Sequence, residues 1–220
     1  MNYPNFNEEK KFWKKGFKFI VGIDEAGRGP LAGPVVAGAV AVNLKSIFNK
    51  LIFKKVKDSK MLSAKQREEI YKYFKKNSAI KWGIGIVSEK LIDKINILEA
   101  TKLAMLKAVK DLEKKLEKPS SSIELSVELK ILIIDGNIKL NINLLQKSIV
   151  KADQKVFSCA LASIFAKVTR DKIMQKFHKK YPEYGFDKHK GYGTSHHFKM
   201  LKKHGYCKIH RRSFYPIRDL

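Results

Sequence analysis

Three short apolar segments of this chain each run into a carboxylate: FIVGIDEA reaches Asp24 and Glu25, ILIIDG reaches Asp135, and SIVKAD reaches Asp153. Short, nearly continuous apolar runs read as buried strands. Neighbouring strands that finish this way gather their acids at one edge of a sheet, which is costly unless a cation sits among them. An all-oxygen donor set suits Mg²⁺ or Mn²⁺ rather than zinc. The chain carries 46 Lys and Arg against 21 Asp and Glu, a net charge of +25, so carboxylates at strand ends stand out against their background. Such an excess favours a polyanionic partner, a nucleic acid or an anionic membrane surface. Lysine dominates the cations, which favours phosphate attraction over bidentate reading of bases. A basic chain with an acidic, metal-holding point suits the cutting or joining of a polyanion.

The 220 residues suffice for one domain with a real core. Cys159 and Cys207 lack metal-ligand spacing and read as thiols in a reducing compartment. The first residues carry Glu8 and Glu9 and no apolar h-region, which excludes a secretory signal. LAGPVVAGAVAV, from Leu31, is too short to span a bilayer and is broken by Pro34. A soluble, cytoplasmic protein is expected, with no membrane partner and a monomer as the default.

Strands are expected over 17–24, 35–42, 79–87, 129–135 and 147–152. KQREEIYKYFKK, from Lys65, reads as a surface helix with Ser63 as N-cap. Met105, Ala108, Val109, Leu112 and Leu116 recur at helical spacing, and a second strong helix starts near Ser158. Another helical stretch covers 195–204, and Pro119 to Ser122 reads as a loop too short to separate domains. Lys167 and Arg170 read as solvated helix charges, with phosphate contact as the alternative. The six histidines, all in the last third, show no zinc-like pattern and are expected to face solvent or bond to backbone. The order of elements implies an α/β or mixed-sheet domain with a helical C-terminal part.

After the first strand comes GRGPLAGP. A Rossmann turn would open directly into a helix, whereas here Pro30 and Pro34 bracket the segment and a strand-like run follows. A P-loop is excluded because Gly-Lys-Ser/Thr is absent. What remains is a rigid loop whose backbone amides and Arg28 can approach a sugar or phosphate closely. Asp24 and Glu25, as neighbours in a strand, point to opposite faces unless the chain turns there.

These residues carry a resemblance. VGIDEAGRGPLAGPVVAGAV, from Val21, resembles the opening signature of ribonuclease HII, the type 2 ribonuclease H. The likeness continues through DSKMLSAKQRE, NILEATKLAM, LIIDGN, AKVTRD, GFDKHKGYGTSHH and HRRSF, in order along nearly the whole chain. It implies an RNase H-like mixed β-sheet flanked by helices, with a helical C-terminal extension. Residues 1–16 would be a variable N-terminal segment, 17–180 the catalytic domain, and 181–220 a substrate-binding extension of the same domain. By the resemblance, Asp24, Glu25, Asp135 and Asp153 are the catalytic acids and bind two Mg²⁺ or Mn²⁺. Gly27, Arg28 and Gly29 match the loop that senses the ribose 2′-hydroxyl, Tyr192 an aromatic that packs on the next deoxyribose, and Lys60 a phosphate-contacting lysine. The sequence around Asp153, KADQKVFSCALASIFAKV, departs from the family's more usual alanine-rich form.

The implied activity is hydrolysis of the RNA strand of RNA–DNA hybrids, with incision 5′ of single ribonucleotides in duplex DNA, leaving 3′-hydroxyl and 5′-phosphate ends. The alternative is a non-catalytic binder of hybrid or duplex DNA that retains the fold.

Overall fold

Alternation along the first strand divides the molecule. In β1 (Phe19–Ala26), Ile20 goes to one face and Val21 and Ile23 to the other, each joining a different buried cluster. The computed structural model describes residues 3–43, 55–77, 80–116 and 130–219. The expected loop at Pro119–Ser122 lies outside them. The described residues form a five-stranded sheet in which β1 is central. It pairs antiparallel with β2 (Val35–Val42), which pairs antiparallel with β3 (Lys81–Val87). On its other side β1 runs parallel to β4 (Lys130–Asp135), which runs parallel to β5 (Leu145–Ile149). This is the expected mixed sheet.

Helices cover both faces, as buried parallel strands require. The helix α1 (Asn7–Trp13) precedes the sheet. Next comes α2 (Ala64–Lys76), opened by Ser63, whose hydroxyl accepts from Gln66 N–H at 3.2 Å while Gln66 accepts from Ser63 N–H at 2.8 Å. The stretch α3 (Glu89–Leu116) carries the apolar stripe read from the sequence and packs on the face holding Val21 and Ile23. It breaks at Asn96 (φ 66°, ψ 168°), whose side chain accepts from Leu98 and Glu99 N–H and so starts the following turns. On the opposite face lies α4 (Phe157–Lys180), the helix expected near Ser158. It sits so close that a Cβ on Gly38 would come within 2.5 Å of the Ala162 carbonyl. Two further helices, α5 (Phe186–His189) and α6 (Ser195–His204), pack around Tyr184, Phe186 and Leu201 in a third cluster. No helix among the described residues is long and apolar enough to cross a membrane.

One strand expectation fails. The run expected over 147–152 stops at Ile149, and Lys151 adopts a left-handed conformation (φ 57°, ψ 45°). Asp153 therefore sits in a single 3₁₀ turn, Ala152–Gln154, and not at a strand end.

Candidate active site

Asp24 and Asp135 come from adjacent parallel strands and share the α4 side of the sheet, because each stands an even number of residues from Ile20 or Ile131 on that side. The turn after β5 brings Asp153 to them. Asp135 helps to hold that turn: its Oδ1 accepts from Ala152 N–H at 2.5 Å. One carboxylate oxygen from each of Asp24, Asp135 and Asp153 lies within 4.8 Å of the others.

Burial, then the charges of Glu25, Asp135 and Asp153, push the Asp24 carboxyl well above its ordinary pKa. Burial likewise raises Asp153, with Asp135 and Asp58 adding to it and Lys60 opposing. Three carboxylates this close repel one another and offer only hard oxygen donors. That donor set fits a divalent cation.

Glu25 stands apart from the three. As the next residue of β1 it is not among the three gathered oxygens, in keeping with the alternation along a strand, although its charge still acts on Asp24. Its Oε1 lies 3.4 Å from Arg28 Nη1, and burial raises its pKa against the pull of Arg28. It still lines the same groove, a cavity of about 240 Å³ bordered also by Asp24, Asp135, Gly27, Arg28, Gly29, Lys60 and Tyr192. Every predicted site residue except Asp153 borders this cavity, and Asp153 is 3.5 Å from Lys60 Nζ through its Oδ2. The charges of Asp153, Asp58 and Asp24 outweigh burial and raise the Lys60 pKa.

The loop from Gly27 to Pro34 is held from behind by two buried arginines. Arg170 was expected to be solvated; it is 1% exposed. It donates to the carbonyls of Pro34 (3.0 Å), Ala32 (3.1 Å) and Lys190 (3.0 Å). Arg211, within HRRSF, donates to Gly33 O (3.0 Å), Arg28 O (2.8 Å) and Gly27 O (2.6 Å). Burial lowers the Arg170 pKa to about 10, and burial followed by the charge of Arg170 lowers Arg211 to about 9. With these carbonyls tied inward, the loop has a fixed shape. Gly27 has φ +98°, and a Cβ there would collide with Arg170 Nε, so only glycine fits. The Arg170 guanidinium also lies 5.9 Å from the Tyr192 ring centroid, and Tyr192 is exposed beside Gly29.

Sequence reasoning missed other groove residues. Arg67 donates to the carbonyls of Ser59 (2.7 Å) and Leu62 (2.5 Å), and the Ser59 and Ser163 hydroxyls lie 2.7 Å apart. Lys167, expected as a solvated charge, borders the groove and pairs with Asp171 at 2.8 Å. Its place in AKVTRD, one turn of α4 after Ser163 of the same groove, was the available signal.

The histidines also differ in part from expectation. His189 and His197 do bond to backbone, through Tyr184 O (2.7 Å) and Tyr192 O (2.9 Å). His197 and His210, however, are buried and joined Nε2 to Nε2 at 2.9 Å. Cys207 N–H donates to His210 Nδ1 at 2.9 Å, so His210 carries its proton on Nε2 and donates to His197. His197 then carries its proton on Nδ1 and donates to the Tyr192 carbonyl. Both rings are neutral, and burial lowers each to a pKa of about 4.

A model of the family described as Ribonuclease HII matches residues 21–216. The chain belongs to the ribonuclease HII family. The Ribonuclease HII of Acetivibrio thermocellus is 51% identical over 206 residues, covering 94% of this chain and 73% of that protein. That of Endomicrobium trichonymphae is 44% identical over 216 residues, covering 98% and 94%. Among solved structures, the ribonuclease H2 from Pyrococcus horikoshii OT3 is similar at 29% identity with a TM-score of 0.66, over 91% of this chain and 96% of that one. Bst-RNase HIII in complex with Mn²⁺ shares the fold at 15% identity and a TM-score of 0.68, over 91% of this chain and 68% of that one. Membership makes this chain a ribonuclease H, a nuclease of the RNA strand of RNA–DNA hybrids. The non-catalytic-binder alternative gives way to an enzyme, and divalent-metal use agrees with the three gathered carboxylates.

Proposed function

We propose that this ribonuclease H also incises 5′ of a single ribonucleotide embedded in duplex DNA, leaving 3′-hydroxyl and 5′-phosphate ends. The supporting observation is one groove bordered by both the carboxylates and a rigid glycine loop. In this reading Asp24, Glu25, Asp135 and Asp153 are catalytic and hold two Mg²⁺ or Mn²⁺ ions. When bound, such ions supply activation of water and stabilisation of the leaving oxygen.

The protein's own residues supply position and selectivity. Arg170 and Arg211 occupy the loop's inward carbonyls, and the groove side of Gly27, Arg28 and Gly29 approaches the 2′-hydroxyl that distinguishes RNA from DNA. Tyr192, exposed at the groove's end, packs on the following deoxyribose. Lys60 meets a backbone phosphate, and Arg67 and Lys167 border the same channel. Residues 17–180 act as the catalytic unit and 181–220 as its substrate-binding extension, in a cytoplasmic monomer.

The test is cleavage of a DNA duplex containing one ribonucleotide, with Mg²⁺ or Mn²⁺, beside an all-DNA duplex and the Asp24→Asn variant. A cut on the 5′ side of the ribonucleotide, absent from both controls, is expected. Equal cutting of the all-DNA duplex would refute the role given to the loop. Cutting by Asp24→Asn at the normal rate would refute the role given to the carboxylates.

A further inference from the structure

The longest helix on the α4 face begins without a cap of its own. Its N-cap residue is Val156, which has no side-chain acceptor, so the first amide groups of α4 need partners from elsewhere. They find them far back in the chain. Phe157 N–H donates to the Asn5 carbonyl at 3.0 Å, and Ser158 N–H donates to Glu9 Oε1 at 2.9 Å. Asn5 N–H in turn donates to Lys155 O at 3.1 Å, closing a parallel bridge between Asn5 and Val156. The Phe6 ring stacks on Phe157 with centroids 4.4 Å apart.

Glu9 is an unexpected residue for such a contact. It is fully buried, and its second oxygen, Oε2, has no hydrogen-bond partner among the described residues. One turn further along α1 the Trp13 indole nitrogen is in the same state. Burial raises the Glu9 carboxyl to a pKa of about 7. A segment that merely covered apolar surface would have no use for a carboxyl here, since an apolar residue of similar size avoids the desolvation cost. An acceptor aimed at the positive end of a helix explains it.

The segment so gripped carries Asp153. Ahead of Asp153, Ala152 N–H is held by Asp135; behind it, Lys155 and Phe157 are held by Asn5, and Ser158 by Glu9. Between the two grips lies a single 3₁₀ turn with Lys151 in a left-handed conformation at its start. The carboxylate's place among the acids therefore depends on both grips. We propose that the N-terminal arm, through Glu9, Asn5 and Phe6, is a positioning element that sets Asp153 in the metal-holding cluster. The inference rests on the reading of Asp153 as a metal ligand given above.

The test uses the full chain and Mn²⁺ binding measured by calorimetry without substrate. Alongside it run the KM for a ribonucleotide-containing duplex at saturating metal and thermal unfolding. The variants are Glu9→Ala, Glu9→Gln, Phe6→Ala and Asp153→Asn. Removing a group that orients a metal ligand weakens metal affinity by about tenfold or more. Glu9→Ala and Phe6→Ala are thus expected to raise the Mn²⁺ Kd about tenfold with KM unchanged. Glu9→Gln keeps an acceptor for Ser158 N–H and is expected to restore wild-type binding.

A merely structural role lowers the unfolding temperature of Glu9→Ala and Phe6→Ala without moving the Kd, and that result overturns the proposal. Should Glu9→Ala fail to fold, Phe6→Ala decides by the same criterion. Asp153→Asn separates the two readings. An unaltered Kd in that variant defeats the assignment of Asp153 as a ligand, and this inference with it. A raised Kd there, with wild-type values in both arm variants, defeats this inference alone.

Discussion

Replacing Asp24 with Asn is expected to abolish turnover and, in the metal-free protein, to raise stability. Asp24 is 5% exposed, and its carboxylate is pushed above its ordinary pKa of 3.8 by burial and by three acidic neighbours. A carboxyl whose folded pKa is raised keeps its proton in the folded state after the unfolded chain has lost it. Stability then falls as pH rises above the unfolded value, until the folded group also ionises. Two limits set the size. An ionised neighbour within 4.8 Å costs roughly 3.5 kcal/mol or more at an effective dielectric constant of about 20. Escape by keeping the proton at pH 7 costs at most about 4 kcal/mol relative to a reference of 3.8. Allowing about 1 kcal/mol for burying the amide leaves a gain near 3 kcal/mol, or roughly 6–12 °C for a domain of this size. The assay is thermal unfolding of wild type and Asp24→Asn in a chelator at pH 5, 6, 7 and 8, repeated with Mg²⁺. The gap should widen with pH and shrink on adding Mg²⁺, which stabilises only the form that binds it. A variant no more stable than wild type in chelator at pH 7, or a gap independent of pH, would refute the reasoning.

The paired histidines predict the opposite slope. His197 and His210 are neutral when folded with pKa values of about 4, against 6.5 unfolded, so stability is lost as pH falls through that window. The loss is about 3 kcal/mol for the first proton taken up, visible as a steep fall in urea midpoint below pH 6 that His210→Gln makes shallower. Arg211→Met removes three donors from loop carbonyls and leaves them buried; a loss of at least ~3 kcal/mol is expected, with faster hydrogen exchange at 27–33. Unchanged exchange there would show that Arg170 alone holds the loop. Gly38→Ala drives a Cβ against the Ala162 carbonyl, and Gly38 is the register partner of Asp24. It is expected to lower stability by about 1–3 kcal/mol and to slow cleavage, both readable from unfolding curves and initial rates.

Local patterns were enough to read much of this molecule. The apolar run of β1, the N-cap at Ser63 and the stripe from Met105 to Leu116 depend on neighbours in sequence, and each stands close to where its pattern put it. Asp24 and Asp135 were legible because a strand's apolar run announces its end. Asp153 was legible as an acid but not as a turn residue, since Lys151 gives no warning of a left-handed backbone. The buried arginines escaped notice for a different reason. Their acceptors are backbone carbonyls, which leave no mark in side-chain patterns, and those of Arg211 lie more than 170 residues away. A separation of 149 residues likewise hid the grip of Glu9 on α4, and the histidine pair, only 13 residues apart, was hidden because its two members share no element and so no period.

The tie between Arg211 and Gly27 spans 184 residues, and it bears on when a newly made molecule becomes active. During synthesis the loop and the first two acids emerge early, long before their guanidinium support leaves the ribosome. Contacts of such separation form late, because the intervening chain must first be ordered. A nascent chain therefore carries an unfinished loop for as long as its C-terminal part is still being made. Competence waits on a residue made long after the loop that it supports.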